Sequence, residues 1–194
     1  MAKSAATGFS FRRSLMGVEH PGTQDFILAG SATVKIGDAV RLNTNGLLVR
    51  AATGEPVLGI LEGIVDQNGI NAFSPRASGT TGATLTPDDQ VVTSATNASD
   101  ATRKLKGRVI LDPAGYCLFY NDSDSTLSQT HIGQMFDAAN GNQITVGGAS
   151  DSNGQFQLVA IDPDNDADAS KGLFRIVETQ LGVGLDEATA KVGA

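Results

Sequence analysis

Residues 39–64 read AVRLNTNGLLVRAATGEPVLGILEGI, and this stretch decides the fold class. Two apolar-alternating runs, AVRL and LLVR, flank Asn43-Thr44-Asn45-Gly46, where Asn45-Gly46 can supply the positive φ angles of a tight hairpin. The following VLGILEGI places Gly59 and Gly63 in a run of Val, Ile and Leu, which predicts a bulged or strongly bent strand. Nothing in the stretch carries chemistry.

Working outward, short strands separated by Gly, Asp, Asn and Pro continue on both sides. ATVKI precedes the Gly37-Asp38 turn, and Gln90–Thr93, Leu105–Leu111, Tyr116–Tyr120, Gln143–Val146, Phe156–Ile161 and Leu173–Thr179 follow. Such density leaves no room for alternating βα units. The expected fold is all-β: a small β-barrel followed by a second antiparallel β-barrel or sandwich, with an extended N-terminal arm and at most one short helix. That helix is expected within Ser128–Ala139, where Ile132, Met135, Phe136 and Ala139 recur at helical spacing, although Gly133 weakens it. The expected division is 1–31 as arm, 32–89 as a small barrel with a long loop (Asn71–Asp89), 90–180 as a second β-rich domain and 181–194 as a tail.

Composition narrows the partners. The 194 residues carry a net charge of −7, which repels a phosphate backbone and argues against nucleic acid. A single cysteine, Cys117, excludes an intrachain disulfide, and no run approaches the apolar length of a membrane span or a signal-peptide core. The N-terminus is nonetheless locally basic, with Lys3, Arg12 and Arg13 among Phe9, Phe11 and Leu15. Residues 1–30 show no sustained period, so they predict an extended arm in which Phe9, Phe11, Arg12, Arg13 and Leu15 bind a partner. Deleting residues 1–17 is then expected to remove binding and leave the stability of the body unchanged.

A search for reactive constellations returns little. Gly148-Ala149-Ser150-Asp151-Ser152 fails the last position of a nucleophile elbow, no P-loop or HExxH occurs, and Gly182-Val183-Gly184 lacks a surrounding βαβ unit. Cys117 with His20 or His131 is disfavoured as a nucleophile and base, because the cysteine falls inside a buried strand. Asp162, Asp164, Asp166, Asp168 and Ser170 set oxygen donors at alternate positions like a calcium loop. However, Ala167 replaces the turn glycine and Leu173 the closing glutamate of an EF-hand. A solvated acidic turn is the favoured reading there and calcium the alternative; no cofactor is expected.

The succession Gly37-Asp38-Ala39-Val40, Asn45-Gly46-Leu47 and Gly54-Glu55-Pro56-Val57-Leu58-Gly59-Ile60 resembles the small β-barrel of tailed-phage capsid decoration (cement) and related minor structural proteins. Tyr116–Tyr120, Thr130-His131-Ile132-Gly133-Gln134, Gly147-Gly148-Ala149-Ser150 and Phe174-Arg175-Ile176-Val177 extend the resemblance over about residues 36–178. It implies a non-enzymatic virion protein, assembled in a bacterial cytoplasm, that binds the outer capsid surface, bridges major capsid subunits and acts as a homotrimer. A head-fibre base or tail-associated adaptor, and a calcium-dependent glycan-binding β-sandwich, are the alternatives.

Overall fold

In the hairpin that opens the sequence argument, β4 (Ala39–Leu42) pairs antiparallel with β5 (Leu48–Arg50), Leu42 facing Leu48. Gly46 takes φ +71°, as the Asn-Gly turn requires. Asn43 does the rest: its side-chain Oδ1 accepts the N–H groups of Asn45 and Leu47 at 2.9 and 3.0 Å, an Asx turn that closes the loop.

The structure, a computed structural model, describes residues 8–17, 21–29, 33–65, 91–93, 105–139, 141–150, 153–161 and 170–181. The expected Asn71–Asp89 loop, the aspartates of Asp162–Asp168, His20 and the tail beyond 181 lie outside them.

The fold is all-β, as expected. The remaining strands are β1 (Ser10–Ser14), β2 (Thr23–Ile27), β3 (Thr33–Lys35), β6 (Gly59–Val65), β7 (Val91–Thr93), β8 (Lys106–Leu111), β9 (Cys117–Asp122), β10 (Met135–Ala139), β11 (Gln143–Ser150), β12 (Phe156–Ile161) and β13 (Lys171–Ile176). One sheet runs β1-β9-β13-β12-β10-β11, a second β2-β8-β6-β4-β5, and β3 pairs with β7. Every named strand pair is antiparallel. Neither large sheet closes into a barrel, but each curls until a single parallel bridge joins its two sides. Leu28 meets Leu48 in the five-stranded sheet, and Ser123 meets Ile144 in the six-stranded one. The glycine-bearing strand bends as expected, with its register against β8 slipping between Leu61 and Gly63.

Period-two alternation sends neighbouring residues of the five-stranded sheet into different cores. Ala39, Ile60 and Ile110 face the six-stranded sheet and join Phe119, Phe136, Phe156 and Phe174 in one core. Val40, Leu61 and Val109 face the other way and form a second core with Leu28, Leu48, Leu58 and Ile64.

Two of the sequence expectations change. Met135–Ala139 is a strand, with Phe136 and Ala138 buried and their neighbours half-buried; only one 3₁₀ turn, Gln129–His131, is helical there. Gly133 at φ +90° stops that turn, and the alternation behind it is strand-like. The division at residues 89/90 also does not follow the sheets, since β8 pairs with β2 and β6 in the sheet of the first half. The Asp112-Pro113-Ala114-Gly115 turn carries the chain from one sheet to the other. The Asp112 carboxylate holds it by accepting the N–H groups of Tyr116 and Cys117 at 2.8 and 2.9 Å.

Polar side chains fasten the sheets together. Gln155 is fully buried. Its Nε2 donates to the carbonyls of Ala52 and Glu55 at 2.8 and 2.6 Å, while its Oε1 accepts the Ala138 N–H at 2.9 Å. With every polar atom of the amide paired, burial carries no desolvation penalty here. Gln180 does likewise at the surface, donating to the Leu42 carbonyl and accepting the Leu42 N–H, both at 2.7 Å.

Candidate interaction surface

The N-terminal segment is the region where sequence reasoning places a binding site, and its structure divides that site in two. Phe9 is only 3% exposed and stacks on Phe156 with ring centroids 4.4 Å apart. Its N–H donates to the Gly37 carbonyl at 2.7 Å. Gly8 and Gly37 permit this approach, both at positive φ, because a Cβ on Gly8 would lie 2.9 Å from the Gly37 oxygen. Phe11 is half-buried and meets Phe119, its cross-strand partner, edge to face at 6.1 Å. The two aromatics are therefore not free anchors: they complete this chain's own core. The segment is a strand laid on β9, and its deletion would open the core rather than leave the body unchanged.

Arg12, Arg13 and Leu15 are placed differently. The register between β1 and β9 slips between Phe11 and Arg13, and this bulge turns Arg12 outward over the Tyr120 ring at 5.4 Å. Arg12 and Arg13 are exposed, and neither has a salt bridge among the described residues. Leu15 is 52% exposed, and next to it Met16 is 66% and Tyr116 48% exposed. The Leu15 N–H donates to the Tyr116 carbonyl at 2.8 Å, so these apolar side chains rise from adjoining backbone. Met16 and Tyr116 were not singled out in sequence; Met16 is Leu15's chain neighbour, and the ladder between β1 and β9 brings Tyr116 to them.

This basic and apolar edge stands on a neutral body. The described residues include nine Lys or Arg and nine Asp or Glu, so the remaining five and twelve account for the whole net charge of −7.

The titratable groups of the interior are arranged for structure. Burial pushes the Cys117 thiol up to about 12, with the Asp112 charge adding to it, so the thiolate is not formed at neutral pH. Burial also raises Asp112 despite its backbone hydrogen bonds. His131 accepts the Ser128 N–H at Nδ1, 3.1 Å, and packs edge-on to Phe136 at 6.1 Å. Asp38 is fully buried: Oδ2 accepts the Lys35 N–H at 2.7 Å, while Oδ1 has no hydrogen-bond partner among the described residues. Burial raises it to about 6 against the opposing pull of that hydrogen bond and of Arg50 and Lys35. Among the described residues no cluster of three or more His, Cys, Asp or Glu could hold a metal ion, and no helix is long and apolar enough to cross a membrane.

No protein-family model, curated protein or solved structure matches this chain.

Proposed function

We propose that this protein is a structural component of a tailed-phage particle, seated on the outer capsid face where it bridges major capsid subunits. The observation that supports the reading most is the outer edge of β1. There Arg12 and Arg13 stand exposed, with no carboxylate partner among the described residues, beside Leu15, Met16 and Tyr116. Apolar anchors flanked by arginines are the composition of a protein-binding surface, with the guanidinium groups matched to carboxylates on the partner. The curled antiparallel sheets supply a mount, and the turn-and-strand pattern of residues 36–178 resembles that of virion decoration proteins. Self-association as a trimer would multiply a weak single contact through effective concentration.

Co-sedimentation of the purified chain with phage shells that lack it tests the reading. Binding in lattice proportion to the major capsid protein is expected, with loss of about tenfold or more in affinity for the combined Arg12→Glu, Arg13→Glu and Leu15→Asp variant. Since none of these side chains is buried, the variant keeps its fold. Unchanged shell binding by that variant, no binding by the natural chain, or a small fixed copy number per particle would overturn the proposal.

A further inference from the structure

The strand that completes the aromatic core belongs to the chain in a peculiar way. β1 lies outside the curl of the six-stranded sheet, since β11 already returns to β9 through the Ser123–Ile144 bridge. β1 is thus an added strand, paired only with β9 among the described residues. The rest of its anchorage is also remote in sequence: Phe9 sits on Phe156 and hydrogen-bonds to Gly37. Its successor β2 belongs to the other sheet, where it pairs with β8. Residues 15–22 join the two, with Gly17 at φ +73° and Pro21 before Gly22.

We infer that residues 8–14 are an exchangeable strap, which occupies the β9 edge and the Phe156 pocket of a second copy of this chain as well as its own. The occupant is defined by the structure, because a strap from a second copy makes the contacts already seen with no new surface required. Eight connecting residues span at most about 26 Å, enough to leave one body for another lying against it. The exit point favours the exchange. Leu15, Met16 and Tyr116 are left in water by a lone chain, at the point where the strap would leave one body for another. A short connector between the strap and the body favours such swapping. This inference concerns the chain by itself and stands whether or not a phage shell is its partner.

Site-directed cross-linking tests it in the full chain. Ser10 and Tyr120 are register partners across β1 and β9, so cysteines at the two positions can form a disulfide. In a Cys117→Ser background, one tagged chain carries Ser10→Cys and a second, untagged chain carries Tyr120→Cys; the two are co-expressed and then oxidised. Exchange gives a disulfide-linked product at twice the 20.0 kDa chain mass that contains both chains and disappears on reduction. A control chain carrying both cysteines reports the strap in place. If the control closes within single chains while the mixed pair gives no linked product, the strap serves only its own chain and the inference is wrong. If the control forms no disulfide at all, β1 does not lie on β9 in solution, which overturns it equally.

Discussion

The two large sheets solve the same packing problem with different side chains. The core against the six-stranded sheet buries five of the eight phenylalanines, Phe9, Phe119, Phe136, Phe156 and Phe174, whereas the core on the far side of the five-stranded sheet buries only aliphatic residues. The five-stranded sheet curls tightly enough that a Cβ on Gly107 would lie 2.4 Å from Leu48 Cδ2 and 2.8 Å from Leu61 Cδ1. The six-stranded sheet has to fill the gap between itself and its neighbour, and large flat rings do so while the N-terminal strap adds one more. An aromatic interface completed by the N-terminal strap and an aliphatic interior to which the strap contributes no residue should therefore fail in different ways.

The largest effect is expected at the aromatic junction. Phe156→Ala removes the ring on which Phe9 stacks and should cost about 3–5 kcal/mol in urea unfolding, with Phe9→Ala costing nearly as much. The double variant should fall short of the sum by about 1 kcal/mol, because the stacked pair is lost only once. Amide exchange in β1 should accelerate in either variant. Leu48→Ala in the aliphatic core should cost about 2–5 kcal/mol yet leave β1 protection at its natural level relative to global unfolding. Equal loss of β1 protection from both sides would show that the two cores are one.

Next in size comes a charge buried where the sheets and the strap converge. Asp38 follows Gly37, whose carbonyl holds Phe9, and its own carbonyl accepts the Leu61 N–H at 2.9 Å. Its folded-state value of about 6 lies above the unfolded 3.8, so the unfolded chain releases this proton first as pH rises. The stabilising contribution is therefore complete below about pH 4 and is lost as pH climbs through about 6, amounting to about 3 kcal/mol over that window. Asp112, also raised by burial, acts in the same direction. Comparing the natural chain with Asp38→Asn by urea titration between pH 4 and 8 isolates the term; an identical pH slope in both would remove Asp38 from the account. A smaller effect, about 1–3 kcal/mol, is expected for Gly107→Ala, which overpacks the aliphatic core, and Leu48→Val should recover part of it.

Much of this contrast could be read from sequence, but only where the cause was local. The Asn-Gly hairpin and the bend at Gly59 and Gly63 are set by residues adjacent to them, and both are found where the sequence places them. Met135–Ala139 misled because apolar residues at helical spacing also fit alternation over five residues, and the neighbouring strand β12, which decides between them, lies farther along the chain. Phe9 and Phe11 misled for the same reason at longer range. A short strand with a bulge has no sustained period, and its partner Phe119 is supplied by a remote part of the sequence. Of the candidate surface, Arg12, Arg13 and Leu15 were legible as a local departure in charge and hydropathy. Met16 adjoins Leu15 in the chain, whereas Tyr116 became part of it through strand pairing, which no local signal encodes.

The edges of the two sheets give the smallest energies and the clearest separation of stability from binding. On β2, the outer strand of the five-stranded sheet, Asp25 faces Arg108 of β8, and Arg108 Nε donates to Asp25 Oδ1 at 3.0 Å. Asp25 raises the Arg108 pKa, and the pair remains about a third exposed to solvent, 35% and 27% for the two side chains. Asp25→Asn should therefore change stability less than any substitution above, and less still in high salt. On β1, the outer strand of the other sheet, Arg12 and Arg13 have no such carboxylate among the described residues, so changing both to alanine should move stability by no more than about 0.5 kcal/mol. What should change instead is the salt dependence of association, which flattens when those charges are removed. A sheet edge that neutralises its arginine internally has nothing to offer a partner, whereas one that leaves two arginines beside an apolar patch does. If Arg12→Ala with Arg13→Ala destabilised the chain while leaving association untouched, the roles of the two edges would be reversed.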